Sequence, residues 1–265
     1  MVKYSYALIT FIITVGGISM SLITSKSYNV HYYEVDAKKR ALISTIMNYL
    51  MDICSVQSDS RGVGVEYLMA NNKGWILTQW NIKINRYPLY DENLKVSTRA
   101  NSFYKYYAYR TNYIEDNLGN LIVDGRSIWL LVDSTKRRPV KVSDDMYAAY
   151  NISKSENERF IHSSLKPLDS WDTEKVFDIR YSDIDTNQHV NNVKYVSWII
   201  ESIPLDIALN YEMREITVVY KKETYYGHRI KVHTKIEKSQ TGYICTHDII
   251  NEDGEELTLA TTYWE

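Results

Sequence analysis

The stretch Arg180-Tyr181-Ser182-Asp183-Ile184-Asp185 repeats His31-Tyr32-Tyr33-Glu34-Val35-Asp36 in the same order of residue types. Asp36 and Asp185 are 149 positions apart, and the same offset carries Tyr49 onto Trp198 and Leu50 onto Ile199. Further along, Leu94-Lys95-Val96-Ser97-Thr98-Arg99 returns as Ile230-Lys231-Val232-His233-Thr234-Lys235, now at an offset of 136. Gly119 and Gly254, like Trp129 and Trp264, are 135 apart. Several weak matches in one order, reconciled by one insertion, indicate a duplicated unit. The change from 149 to 136 predicts 13 extra residues in the first copy, and Ser58–Gly74 is the natural place for them.

The copies are read as 28–140 and 174–265, with 1–27 set apart and 141–173 as a connection. That connection contains Ser153-Lys154-Ser155-Glu156-Asn157-Glu158-Arg159 and Pro167, a composition that predicts a surface segment. Within each copy the pattern runs strand, helix, then several strands. Tyr28–Val35 reads as a strand, and Arg40–Ile53 carries a helical apolar stripe at Leu42, Ile43, Ile46, Met47, Leu50 and Ile53. Trp75–Tyr87 alternates, with Ile76, Trp80, Ile82 and Ile84 on one face. In the second copy Val193, Val196, Ile199, Ile200 and Ile203 form the stripe before Pro204, and Ile230, Val232, Thr234 and Ile236 alternate with a polar face of Arg229, Lys231, His233 and Lys235. Gly119 and Gly254 mark hairpin turns. One apolar helix followed by an antiparallel meander predicts an α+β fold in which a sheet wraps a central helix. Two such copies would pair like a dimer, with a shared cleft.

Composition narrows the function. The chain has 265 residues, 31 Lys+Arg against 33 Asp+Glu, and a formal net charge of -2. This near balance argues against nucleic-acid binding, which needs a dense basic surface. With 24 Tyr against 4 Phe, the aromatic content suits strands and half-wet surfaces. The 2 Cys, Cys54 and Cys245, sit in apolar sequence and predict small buried hydrophobes in a reducing, cytoplasmic setting. The 6 His show no metal-binding spacing, so neither a metal nor a cofactor is expected. From Tyr4 to Ser25 there is no charge. Residues 4–24 reach the roughly 20 needed to span a bilayer, though they are diluted by Ser, Thr and Gly. They read as a membrane tether or as sequence ahead of the natural start.

The densest polar stretch is Asp183-Ile184-Asp185-Thr186-Asn187-Gln188-His189-Val190-Asn191-Asn192, where a strand hands over to the second helix. Asp185, Asn187 and His189 alternate, so an extended backbone would point them the same way. The helix start offers N–H groups and the positive end of a dipole, which suit an oxyanion. The same residues are equally well explained as an Asx-rich turn and helix cap. In the first copy the matching positions are Asp36, Lys38 and Arg40, so the amide and imidazole occur only in the second.

The run from Asp183 through Val193-Lys194-Tyr195-Val196-Ser197-Trp198-Ile199-Ile200-Glu201-Ser202-Ile203-Pro204 resembles the signature of the acyl-acyl-carrier-protein thioesterases of plants and bacteria. Supporting matches are Tyr33-Glu34-Val35-Asp36, Ile82–Pro88, Ile128-Trp129 and Arg137-Arg138-Pro139. The resemblance implies a tandem double-hotdog fold and hydrolysis of fatty acyl-carrier-protein thioesters. It places catalytic roles on Asp185, Asn187, His189 and Glu223. The family has a Glu-Cys pair where this chain reads Glu223-Thr224, so a cysteine nucleophile cannot be assembled from the matched positions. A water held by His189 and Glu223, or attack by Asp185 itself, then remain open.

The apolar residues Leu42, Ile46, Met47, Leu50, Trp80, Ile82 and Ile84 are candidates for an acyl pocket. Lys136, Arg137 and Arg138 are candidates for docking an acidic acyl carrier protein. An acyl-CoA thioesterase and a non-catalytic acyl-binding module are the competing functions. Chain length and oligomeric state are not fixed by the sequence.

Overall fold

The computed structural model describes residues 22–155 and 158–265 in full, and the backbone of 9–11, 14–15 and 18–19. The chain divides into two compact units, Met1–Leu77 with Asn85–Ile161, and Thr78–Ile84 with His162–Glu265.

At the N-terminus β1 (Ile9–Phe11) pairs antiparallel with β4 (Ile23–Asn29), and β2 (Thr14–Val15) pairs with β3 (Ile18–Ser19). Most of the tether reading for residues 4–24 falls outside the described residues. Among those described, no helix is long and apolar enough to cross a membrane. The first unit continues with α1 (Ile43–Ser60), α2 (Val65–Ala70), β5 (Lys73–Ile84), β6 (Asn93–Tyr104), β7 (Tyr107–Glu115), β8 (Leu121–Asp133), β9 (Arg138–Pro139) and α3 (Asp144–Ala149). Strands β4, β6, β7 and β8 lie side by side in that order, all antiparallel, and α1 packs on β4 and β6. The face of α1 carrying Ile46, Met47, Leu50 and Ile53 is fully buried, as the stripe requires.

The second unit contains β10 (Thr173–Asp178), α4 (Asn192–Ser202), α5 (Leu205–Asn210), β11 (Met213–Tyr220), β12 (Arg229–Lys238), β13 (Tyr243–Asn251) and β14 (Glu256–Trp264). Their order is β11-β14-β13-β12-β10, antiparallel throughout, with α4 against β10 and β12. The part of β5 assigned to this unit pairs with β11, Gln79 facing Val219 and Lys83 facing Glu215. Each unit is a strand, a helix and a meander wrapped on that helix, the tandem hotdog expected from the repeat. Gly119 (φ 82) and Gly254 (φ 77) occupy equivalent hairpin turns in the left-handed region that suits glycine.

The 13 extra residues are distributed through the first copy. Helix α1 has 18 residues against 11 in α4, the connection to the next short helix has four against two, and β5 has 12 against 8 in β11. The insertion therefore extends α1 by about two turns and lengthens the strand that follows, with no separate loop.

Four elements differ from the sequence reading, the first being β5, where Ile76 is exposed although Trp80, Ile82 and Ile84 of its expected face are buried. Tyr28–Val35 is not one strand: β4 ends at Asn29 and Tyr32–Glu34 is a 3-10 turn. The connection 141–173 is not uniformly a surface segment. Val142, Met146, Tyr150 and Ile152 are buried against Phe103 and Leu131 in the first unit, because α3 turns an apolar side inward. His233, on the apparent polar face of β12, is buried beneath Trp171, their rings 3.8 Å apart. Its two nitrogens meet Glu174 at 2.9 Å and Asp248 at 2.8 Å.

The 3-10 turns before the two long helices are copies of each other. In each, a carboxylate reaches back to a backbone N–H: His31 N–H donates to Glu34 at 2.8 Å, and Arg180 N–H to Asp183 at 2.9 Å. Asp183 is fully buried, and it also accepts from the Arg180 guanidinium at 3.0 Å and faces Lys194 at 3.5 Å. Burial pushes its carboxyl up, but the hydrogen bonds and charge of Arg180 outweigh this and hold it below the usual range. Its stabilising contribution is complete above about pH 4, the unfolded value, and disappears as pH falls through the lower folded value. Asp183→Asn should cost about 2 kcal/mol at pH 7, read by urea denaturation. The deficit should shrink when the same comparison is made in strong acid.

Candidate active site

Between the 3-10 turn and α4 the chain closes a tight loop, Asp185 to His189. Asp185 N–H donates to the His189 carbonyl at 2.8 Å, and Ile184 bridges to Val190. The Asp185 carboxylate fastens the loop from inside: its Oδ1 accepts from Asn187 N–H at 2.8 Å and His189 N–H at 3.4 Å. Gln188 takes a left-handed φ of 66, a conformation polar turn residues tolerate. Asn191 then caps α4 by accepting from Val193 N–H at 2.9 Å. That N–H is one of the helix-start donors considered for an oxyanion, and it is already engaged.

Val190 N–H donates to the Thr224 carbonyl at 3.0 Å, which draws the segment after β11 against the loop. Glu223 thereby meets His189, Nδ1 to Oε2 at 3.2 Å. Both side chains are about one-third exposed (31% and 33%), so the pair is open to solvent. Tyr225 completes the cluster. Its hydroxyl donates to the other Glu223 oxygen at 3.1 Å, and its ring stands edge-on to the imidazole, 5.1 Å between centroids. Asn187 is exposed on the same loop as His189.

The first unit holds the same loop. Asp36 N–H donates to the Arg40 carbonyl at 2.8 Å, and Asp36 Oδ1 accepts from Lys38 N–H at 2.8 Å and Arg40 N–H at 2.9 Å. Lys39, matching Gln188, has φ 60. The difference lies in the side chains. Arg40 folds back onto Asp36 Oδ2 through Nε at 3.0 Å and Nη2 at 2.8 Å, so this carboxylate is sealed by its own loop. Burial pushes the Asp36 carboxyl up, and the Arg40 bonds overcome that and lower it. His189 in the matching place leaves Asp185 Oδ2 with no hydrogen bond among the described residues.

The structure thus unites Asp185, Asn187 and His189 in one loop and sets Glu223 against His189. Tyr225 and the Thr224 carbonyl are the parts the sequence reading missed. Tyr225, two residues past a candidate carboxylate, was the available signal. The remaining candidates are elsewhere. Ile46, Met47 and Leu50 are fully buried on α1 in the first unit, with Leu42 at its start 41% exposed. Trp80, Ile82 and Ile84 lie fully buried in the part of β5 assigned to the second unit. Lys136 and Arg137 are exposed in the turn joining β8 to β9, and Arg138 is exposed at the start of β9. Among the described residues no group of His, Cys, Asp and Glu could hold a metal ion.

Neither cysteine is poised for nucleophilic attack. Cys54 is buried and donates to Leu50 O and Asn112 Oδ1, both at 3.0 Å. Burial pushes its thiol up, only partly countered by Arg110, and pushes the Cys245 thiol up to about 12. Thiol-alkylating reagents at pH 8 should label neither residue in the native protein and both after unfolding, as read by intact-mass spectrometry.

A family model described as the acyl-ACP thioesterase N-terminal domain matches residues 21–150, and one described as the acyl-ACP thioesterase C-terminal domain matches 167–265. Acyl-[acyl-carrier-protein] hydrolase FATB1, chloroplastic, of Cuphea viscosissima is 26% identical over 92% of this chain and 62% of its own length. Oleoyl-acyl carrier protein thioesterase 1, chloroplastic, of Arabidopsis thaliana is 27% identical over 75% of this chain and 59% of its own. The chain spans about three-fifths of the length of these curated relatives. Among solved structures, an oleoyl thioesterase of Lactobacillus plantarum superposes with a TM-score of 0.86 at 29% identity, covering 92% of this chain and 96% of that one. The 12:0-ACP thioesterase of Umbellularia californica shares the fold at a TM-score of 0.80 and 22% identity, covering 92% of this chain and 94% of that one. With family models matching both repeats, the chain belongs to the acyl-ACP thioesterase family.

Proposed function

We propose that this protein hydrolyses fatty acyl-acyl-carrier-protein thioesters, releasing free fatty acid and the carrier thiol, as part of fatty acid synthesis. The observation that carries the reading is the His189–Glu223 pair, 3.2 Å apart and open to solvent. Glu223 accepts from His189 Nδ1–H, which fixes the tautomer and leaves Nε2 as the basic nitrogen. Nε2 takes a proton from water as the water oxygen attacks the thioester carbonyl carbon. The tetrahedral intermediate then expels the carrier thiolate, which receives that proton from His189. Tyr225 holds Glu223 in place through its hydroxyl. Asn187, exposed on the loop, donates its amide to the acyl carbonyl.

Water attack is favoured over attack by Asp185. The solvent-open His189–Glu223 pair is the arrangement that activates a water, while Asp185 serves the loop's frame through the two backbone N–H groups on its Oδ1. The exposed Lys136, Arg137 and Arg138 are the proposed contact for an acidic carrier protein. Of the apolar residues proposed for the acyl chain, Leu42 is exposed, and the buried Ile46, Met47, Leu50, Trp80, Ile82 and Ile84 would have to give way. Two free, buried cysteines fit a cytoplasmic, reducing setting.

Free fatty acids released from acyl-carrier protein should be measured by mass spectrometry for wild type, Asp185→Ala, His189→Ala and Glu223→Ala. Loss of the base should lower the rate by roughly 10²–10⁴-fold. Equal release by all four proteins overturns the site. Faster turnover of the matching acyl-CoA than of the acyl-carrier protein redirects the reading to an acyl-CoA thioesterase.

A further inference from the structure

Tyr195 lies in the first turn of α4, three residues past Asn192, and is 2% exposed. Helical side chains lean toward the N-terminus of their helix, which for Tyr195 is the side of the Asp185–His189 loop. Its ring stands edge-on to Tyr220 at the end of β11, 5.9 Å between centroids, and to Trp198 at 5.6 Å. The two neighbouring tyrosines end differently. The Tyr220 hydroxyl donates to the Asn192 carbonyl at 3.1 Å and ties β11 to the start of α4. The Tyr195 hydroxyl is buried with no hydrogen-bond partner among the described residues.

A buried, unpaired hydroxyl costs folding free energy, and phenylalanine fills the same space without that cost. The groups that act on this hydroxyl are those of the candidate site. Burial pushes it above the usual tyrosine range, against the Thr224 N–H, and Glu223, Tyr225 and Asp185 push the same way as burial, so it stays a protonated donor. The first unit sharpens the contrast. At the repeat offsets of 149 and 136, Ile46 stands where Tyr195 does and Pro88 where Thr224 does. The frame there is the same: Ala41 N–H donates to the Pro88 carbonyl at 2.8 Å, as Val190 N–H does to that of Thr224 at 3.0 Å. Ile46 is fully buried and has no hydroxyl, and proline has no N–H. The corner that is apolar beside the locked loop carries a hydroxyl and an N–H beside the loop that presents His189.

We propose that Tyr195 is a positioning residue for the His189–Glu223 pair, its hydroxyl holding one bound water together with the Thr224 N–H and the Glu223 carboxylate. This rests on the thioesterase reading and adds a residue to that same site. Polar groups beyond direct hydrogen-bond reach of each other are joined by such a water, and a buried water takes about three partners. With Tyr225 and this water both on it, the Glu223 carboxylate stays turned to His189 Nδ1, which keeps Nε2 as the base.

The test sets Tyr195→Phe beside Tyr220→Phe. It measures urea unfolding, kcat and KM on an acyl-carrier protein, and crystal structures of wild type and Tyr195→Phe. Tyr195→Phe removes an unpaired group, so its urea midpoint should equal or exceed that of wild type, while kcat falls about tenfold or more and KM stays within about twofold. Tyr220→Phe breaks a bond made in the free protein and should lower the midpoint. The wild-type crystal should show a water within ~3.2 Å of Tyr195 Oη, and the Tyr195→Phe crystal should lack it. An unchanged kcat for Tyr195→Phe, a midpoint lowered as far as that of Tyr220→Phe, or no such water in wild type overturns the proposal and leaves the hydrolase reading intact. No hydrolysis by wild type overturns the parent reading and this one with it.

Discussion

A single carboxylate accepting two backbone N–H groups sets the geometry on which the candidate site depends. Asp185 closes the loop between the 3-10 turn and α4, and that closure exposes Asn187, brings His189 back to the strand side and lets Val190 grip the Thr224 carbonyl. Glu223 reaches the imidazole only because that last contact holds its segment in place. The first unit repeats the loop bond for bond around Asp36, so the frame is a property of the duplicated fold. What differs is which side chain follows it. Arg40 turns inward and neutralises its carboxylate, whereas His189 turns toward a glutamate and remains open to solvent. The same main chain thus yields a locked loop in one unit and a solvent-open His–Glu pair in the other.

The two units also diverge under their helices. The longer α1 carries the interface past its apolar stretch to a charged layer of Arg110 and Gln57, and the shorter α4 ends at a neutral one built on His247. Divergence is concentrated at the loop and beneath the helix, while strand order and turn glycines are retained.

Much of this was legible in the sequence because it rests on short-range pattern. The repeat, the α1 and α4 stripes and the Gly119 and Gly254 turns follow from spacing alone. Asp185, Asn187 and His189 lie within five residues, and their loop follows the Asx-turn reading and not the extended one, since Asp185 closes it onto His189 with Gln188 left-handed. Glu223 came from the family resemblance, since the fold brings it from beyond β11. Tyr225 stayed hidden because its role depends on a contact with His189 that spacing does not reveal. The 3-10 turn at Tyr32–Glu34 was masked by aromatic residues that also favour strands. His233 was misplaced because its burial is caused by Trp171, a residue of the connecting segment with no periodic link to β12. Nothing in the sequence around Arg110 marks it, and it is a buried charge through the packing of α1 onto the sheet.

The most direct measurement converts the second loop into the first: Asn187→Lys together with His189→Arg, assayed for acyl-carrier-protein hydrolysis beside its unfolding curve. The introduced arginine can close on Asp185 as Arg40 does on Asp36, so folding should be retained while hydrolysis falls by roughly 10²–10⁴-fold. A folded, swapped protein turning over substrate at the wild-type rate would contradict the account.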